Sequence, residues 1–201
     1  MNALIYPLIV FVSMAAWGLL HSWLAAFRTK KWVRQTFERR ICRYYRLIYV
    51  SIAILTLTPI LAMLVFLPQR VLWIIPPPWI YVTIAVQFLA ILGILITVLQ
   101  TNVMTFIGLR QLENPRAEQE SEFVRKGFYR IVRHPMYLFS IIFFWLIPYM
   151  TDLILAFIIA STLYFLIGSI PEEQKLRETY GEAYEKYQAE VPRIIPGVKI
   201  T

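Results

Sequence analysis

Histidine and cysteine, the side chains that build most transition-metal centres, are nearly missing: the 201 residues contain two His and one Cys. His21 and His134 lie far apart in the chain and neither belongs to a His or Cys cluster, so no structural zinc or haem site is expected. A single cysteine, Cys42, excludes an intramolecular disulfide and reads as an inert loop or interface residue. Glycine is scarce too. No two of the seven glycines lie closer than Gly168 and Gly181, whereas a dinucleotide-type loop needs several within about six residues. A ligand must therefore be held by helices and loops rather than by a glycine-rich turn. Charge is the third shortage, at 16% of residues.

What fills the chain is apolar: 59% of residues are hydrophobic and mean hydropathy is +0.60. A soluble domain of this length has nowhere to bury that much apolar surface, so the composition points to a membrane protein. Five apolar spans stand out, Ala3–Phe27, Ile48–Leu67, Trp79–Leu99, Met136–Met150 and Leu153–Ile170, each near the length of a bilayer core or slightly short of it. The first lacks a basic leader and a small-residue cleavage site and is expected to remain as an anchor. The fourth and fifth are separated only at Thr151-Asp152 and are expected to form a tight helical hairpin.

The basic residues are partitioned between these spans. Of the 20 Lys and Arg, all except Arg70 fall after span one, between spans three and four, or after span five. The positive-inside rule makes that face cytoplasmic, with the N-terminus outside and the C-terminus inside. The expected architecture is an all-α integral membrane protein of five transmembrane helices, with an amphipathic cytoplasmic tail helix. It forms a single domain over residues 1–201: transmembrane helices in 1–99, a cytoplasmic loop in 100–135, the hairpin in 136–170 and a tail in 171–201. The net charge of +8 is spread over juxtamembrane loops without a nucleic-acid-binding motif, so the lipid bilayer, and not nucleic acid, is the expected partner.

Two polar clusters interrupt the pattern. In "VRKGFYRIVRHPMYLF", Pro135 suits the first position of a helix and His134 its cap. The free N–H groups and dipole of that helix, beside Arg130 and Arg133, would make an anion site. In "GSIPEEQKLRETYGEAYEKY", Pro171 is expected to end the fifth span, and Leu176, Tyr180, Ala183, Tyr184 and Tyr187 trace one face of a new helix. That helix should fold back towards the His-Pro loop. Ser169 to Glu172 fits a capping box, which leaves Glu173 as the acidic residue without a structural reason. Arginines facing two carboxylates across a pocket suit a ligand carrying both charges.

Residues Arg133-His-Pro-Met-Tyr137, Glu172-Glu173-x-x-Leu176, Tyr180-Gly-x-x-Tyr184-x-x-Tyr187 and Val191-Pro-Arg193-x-x-Pro196 resemble the C-terminal half of the isoprenylcysteine carboxyl methyltransferase superfamily. "HSWLA" (His21–Ala25), "YYRLIY" (Tyr44–Tyr49) and "FIGLRQL" (Phe106–Leu112) are similar to its NnrU and methanethiol S-methyltransferase branch. The resemblance implies an S-adenosyl-L-methionine-dependent methyltransferase acting at the cytoplasmic face of the inner membrane. The cofactor-binding positions it implies are Arg130, Arg133, His134, Pro135, Tyr137, Glu172, Glu173 and Tyr184, and the catalytic candidates are Arg193 and Glu173. The acceptor it implies is a small or lipophilic thiol. A prenylated cysteine carboxylate or another membrane amphiphile stays open, as do a non-catalytic NnrU-type accessory role and a reductase like the sterol reductases, which share a similar C-terminal region. His21, inside span one, reads equally as a helix-to-helix hydrogen bond or a substrate contact. The polar stretch Gln111–Phe123 reads as a linker or a lid.

Overall fold

The computed structural model describes residues 4–101, 103–107, 109–113 and 123–198. Expectations for the linker or lid at 111–123 therefore lie largely outside the described residues. In chain order the elements are α1 (Ile5–Ala25), α2 (Phe27–Thr36), α3 (Arg39–Phe66), β1 (Val71–Ile74), α4 (Trp79–Gln100), α5 (Val103–Ile107), α6 (Arg110–Glu113), a 3-10 turn (Gly127–Arg130), α7 (Pro135–Trp145), β2 (Tyr149–Thr151), α8 (Asp152–Tyr180) and α9 (Glu182–Glu190).

Four helices, α1, α3, α4 and α8, are long and apolar enough to cross a bilayer, and α7 is a shorter apolar helix. Their outer surfaces carry exposed large side chains such as Leu19, Leu55, Phe66 and Leu99, which water would penalise and lipid solvates. The chain is an integral membrane protein. Its core lies between α1, α3 and α8, where Val10, Met14, Ile60, Leu153, Phe157 and Ala160 are buried together.

The hairpin differs from expectation. After Trp145 the chain does not turn directly into α8 but passes through a turn at Leu146 and a bend at Pro148, which cannot sit inside a helix without cost, into β2. That strand pairs antiparallel with β1, Trp73 opposite Met150 and Ile74 opposite Tyr149. Arg70 and Asp152 close the same end: the Arg70 N–H donates to Asp152 Oδ1 at 3.0 Å, and its Nε lies 3.3 Å from Oδ2. The paired strands satisfy each other's backbone groups where helix is lost. Nor do α7 and α8 chiefly pack on each other. Helix α7 lies along α4, where Gly93 leaves room for the Phe139 ring, and α8 lies along α1, where Gly18 does the same for Tyr164.

The second difference is at Pro171. Helix α8 does not stop there but runs on to Tyr180, so the capping box expected at Ser169 does not exist, and the Ser169 hydroxyl donates back to Leu166 O. Proline removes one helical hydrogen bond, a local loss, while burial of Ser169 before it and Glu173 after it holds the helix on course. At 29 residues α8 is about 44 Å long, more than a roughly 30 Å bilayer core, so its last turns carry Glu172 and Glu173 past the apolar layer. The break comes instead at Gly181, with φ +53° and ψ −132°, a region that side-chain-bearing residues avoid. The expected apolar face of one tail helix is thus divided between α8 and α9. Folded together, Tyr184, Tyr187 and Val191 still form a buried cluster with Phe123, Leu176 and Tyr180.

Candidate functional site

Helix α7 begins as its sequence implies, with His134 at the cap position and Pro135 in the first turn, although the imidazole makes no capping hydrogen bond. The tail folds back onto this start. The N–H groups of Arg133 and His134 donate to Pro192 O at 2.9 Å and Arg193 O at 3.0 Å, joining the Arg-His-Pro and Val-Pro-Arg motifs backbone to backbone. Those two N–H groups are consequently occupied by the tail.

The Arg133 side chain is also committed. Buried with Glu173, it places Nε 2.7 Å from Glu173 Oε1 and Nη2 3.3 Å from Oε2, and Nη1 donates to Gln188 O at 2.7 Å. The Nε–H is not aimed at Oε1, so that closest contact is an ion pair more than a directed hydrogen bond. Glu173 Oε2 also accepts from Gln188 Nε2 at 2.7 Å, and His134 Nε2 lies 3.2 Å from Oε1. Both Glu173 oxygens are thus engaged by Arg133, His134 and Gln188. Arginine and carboxylate do not face each other across a void, as expected; they form one neutralised pair on which His134 rests, because a buried charge must find its counterion.

The cavity-lining groups stand on the other side of His134. Its Nδ1 is 3.6 Å from Glu172 Oε2, which also accepts from the Tyr137 hydroxyl at 2.8 Å. The Tyr137 ring stacks on the imidazole with centroids 5.2 Å apart and planes 4° from parallel. These three residues, with Arg133 and Pro135, line a cavity of about 180 Å³ whose remaining wall includes Phe123, Tyr129, Tyr180, Tyr184 and Tyr187. Phe123 stacks on Tyr180 at 5.0 Å. The Tyr184 hydroxyl is buried without a hydrogen-bond partner among the described residues. Burial, and then the charge of Glu173, pushes its pKa up; burial followed by the charge of Glu172 raises Tyr129 to about 12. Both hydroxyls therefore remain protonated donors at neutral pH.

This cavity brings together Arg133, His134, Pro135, Tyr137, Glu172 and Tyr184 from the sequence reading. Arg130 is exposed and lines no described cavity, and Glu173 sits behind the wall. Arg193 lines a second cleft of about 560 Å³, with Arg133, Glu173, Arg177 and Gln188, so it does not share the cavity of the other candidates. Its backbone, but not its side chain, supports His134. Sequence reasoning missed Gln188 and Phe123. Gln188 follows Tyr187 on α9 and carried no signal until the helix was docked; Phe123 ends a polar stretch that masks it.

The fold and site define an integral membrane protein with a polar, aromatic-walled cavity at one end of its helices. The family model for phospholipid methyltransferase matches residues 84–183, which include α7 and both glutamates. Methanethiol S-methyltransferase 1 of Bradyrhizobium diazoefficiens is 30% identical over 191 residues, 91% of this chain and 64% of its own length. A methanethiol S-methyltransferase of a Pseudomonas species is 30% identical over 205 residues, 95% of this chain and 75% of its own. That of Crocosphaera subtropica is 36% identical over 106 residues, 51% of this chain and 42% of its own. The chain thus spans less than two thirds of the Bradyrhizobium and Crocosphaera relatives. No solved structure matches it. The chain belongs to the phospholipid methyltransferase-like family of membrane methyltransferases, alongside the methanethiol S-methyltransferases.

Proposed function

We propose that this chain transfers a methyl group from S-adenosyl-L-methionine to the sulfur of a small thiol, of which methanethiol is the example set by its relatives. The observation that carries the proposal is the grouping of Glu172, His134 and Tyr137 opposite a wall of aromatic rings in one cavity. The donor set fits that cofactor. A half-exposed carboxylate and ring faces suit an ammonium and a sulfonium, the Phe123–Tyr180 stack suits an adenine ring, and the orphaned Tyr184 hydroxyl suits an acceptor atom of the ligand. When bound, the cofactor supplies a methyl carbon on a positively charged sulfur. The residues of this chain bind and align it: Glu172 balances positive charge, Tyr137 and His134 hold Glu172, and the Arg133–Glu173 pair fixes His134.

The transmembrane arrangement we propose has five crossings, with the cavity facing the cytoplasm. Eleven residues of α7 rise about 16 Å, and the segment through Pro148 into β2 covers the remaining depth to the Arg70–Asp152 end. An amphiphile with an anionic headgroup is the second acceptor reading, favoured by Arg177 and Arg193 beside Ile170 in the larger cleft.

The test is calorimetry in nanodiscs followed by methyl-labelled donor with a panel of methanethiol, longer thiols, a farnesyl cysteine analogue and phosphatidylethanolamine. His134→Ala and Glu172→Gln are expected to weaken cofactor binding roughly tenfold, about 1.4 kcal/mol each. Absence of binding to the wild type refutes the cofactor assignment, and label found only in carboxylate or amine products refutes sulfur as the acceptor.

A further inference from the structure

Deeper in the bundle lies a second polar group that the cavity does not include. His21 stands on α1 one turn before that helix ends, and Tyr49 on α3 is hydrogen bonded to its Nε2. Trp17 stacks on the imidazole with centroids 4.8 Å apart, and Tyr164 on α8 meets it edge-on at 6.0 Å. Trp17 is itself fixed, its Nε1 donating to Ala53 O at 3.0 Å. The other ring nitrogen, Nδ1, is buried and has no hydrogen-bond partner among the described residues. A polar atom kept unpaired among transmembrane helices calls for a use, since an apolar side chain would pack there more cheaply. With a proton on Nε2 shared with Tyr49, Nδ1 carries a free lone pair. The titratable neighbours are Tyr49 and Arg46 on α3 and Tyr164 on α8.

Aromatic rings link this group to the cavity. Tyr164 packs against Phe165, Phe165 stacks on Tyr137 at 4.9 Å, and Tyr137 lines the cavity and bonds Glu172.

We propose that Trp17, Tyr49 and Tyr164 receive the thiol acceptor, and that His21 Nδ1 is the base that deprotonates it. This rests on the thiol methylation proposed above. A thiol is a weak nucleophile until it loses its proton, and a site inside a helical bundle has little water to accept one. The S–H bond breaks and its proton moves to Nδ1. The thiolate lone pair forms a bond to the methyl carbon, whose bond to the donor sulfonium breaks with the pair staying on the departing thioether. The neutral methyl thioether leaves, and the proton on His21 passes to solvent. Ring faces suit the short alkyl group, and the unpaired nitrogen selects for a group with a proton to give.

The test compares an alkyl thiol, protonated at neutral pH, with an aryl thiol already ionised there. In His21→Gln, methylation of the alkyl thiol is expected to fall roughly a hundredfold or more, while the aryl thiol keeps its rate and calorimetry shows unchanged cofactor affinity. Tyr49→Phe, which keeps the packing but frees Nε2, is expected to show the same bias in smaller degree. A second readout needs no turnover: alkyl thiol mixed with wild-type protein is expected to develop thiolate ultraviolet absorbance, and His21→Gln is not. Equal loss with both thiols, or thiolate absorbance undiminished in the variant, overturns the assignment of His21 as base while leaving thiol methylation standing. Failure of the wild type to methylate either thiol overturns both.

Discussion

Replacing Glu173 by Gln keeps the shape of the side chain and removes its charge, leaving the Arg133 guanidinium in place without its counterion. The two side chains are 5% and 4% exposed, so water cannot take over. Breaking such a pair from one side costs about 3–5 kcal/mol, because the remaining charge stays buried and unpaired. For a chain of this size each kcal/mol lowers the melting temperature by about 2–4 °C, so Glu173→Gln in detergent is expected to melt roughly 6–20 °C below the wild type. Removing both charges should recover much of the loss. The double variant Arg133→Met with Glu173→Gln is therefore expected to melt above Glu173→Gln alone, and a double-mutant cycle should give a coupling energy of about 0.5–3 kcal/mol. The assay is thermal unfolding followed by tryptophan fluorescence, with cofactor binding measured on each variant at a temperature where all are folded. Binding is expected to weaken even there, since His134 loses the oxygen 3.2 Å from its Nε2. A Glu173→Gln protein that melts with the wild type, or a cycle that is simply additive, would refute the argument that this pair is the keystone under His134.

Two further outcomes test the frame around the site. With Cys42→Ser as background, a cysteine at exposed Pro76 is expected to react with an impermeant maleimide from outside intact cells and one at Lys186 only after lysis; the opposite pattern reverses the proposed orientation. Gly181→Ala places a side chain at φ +53° and ψ −132°, a strain of about 1–3 kcal/mol, and is expected to loosen α9; unchanged stability together with unchanged protease resistance at the α8–α9 junction would contradict this.

Composition and charge placement alone were enough to establish a membrane protein, the approximate extent of its long apolar helices and the residues that gather at each end. Transfer from water to lipid is close to a sum over residues, and such sums can be read along a chain. The Arg-His-Pro and Glu-Glu stretches stood out as local polar clusters at helix ends, and the Val-Pro-Arg stretch through its resemblance to a known family. What they do to one another could not be read in this way. Arg133 and Glu173 lie 40 residues apart, and whether they oppose each other across a ligand or neutralise each other beneath it depends on where α8 ends. Pro171 reads locally as a stop, yet burial on both sides carries the helix through it and brings Glu173 under His134. Gln188, the strand pair that replaces a simple turn after α7, and the His21–Tyr49 contact share this character. Each is a contact between segments distant in the chain, whose energy exists only once packing has brought them within a few ångströms.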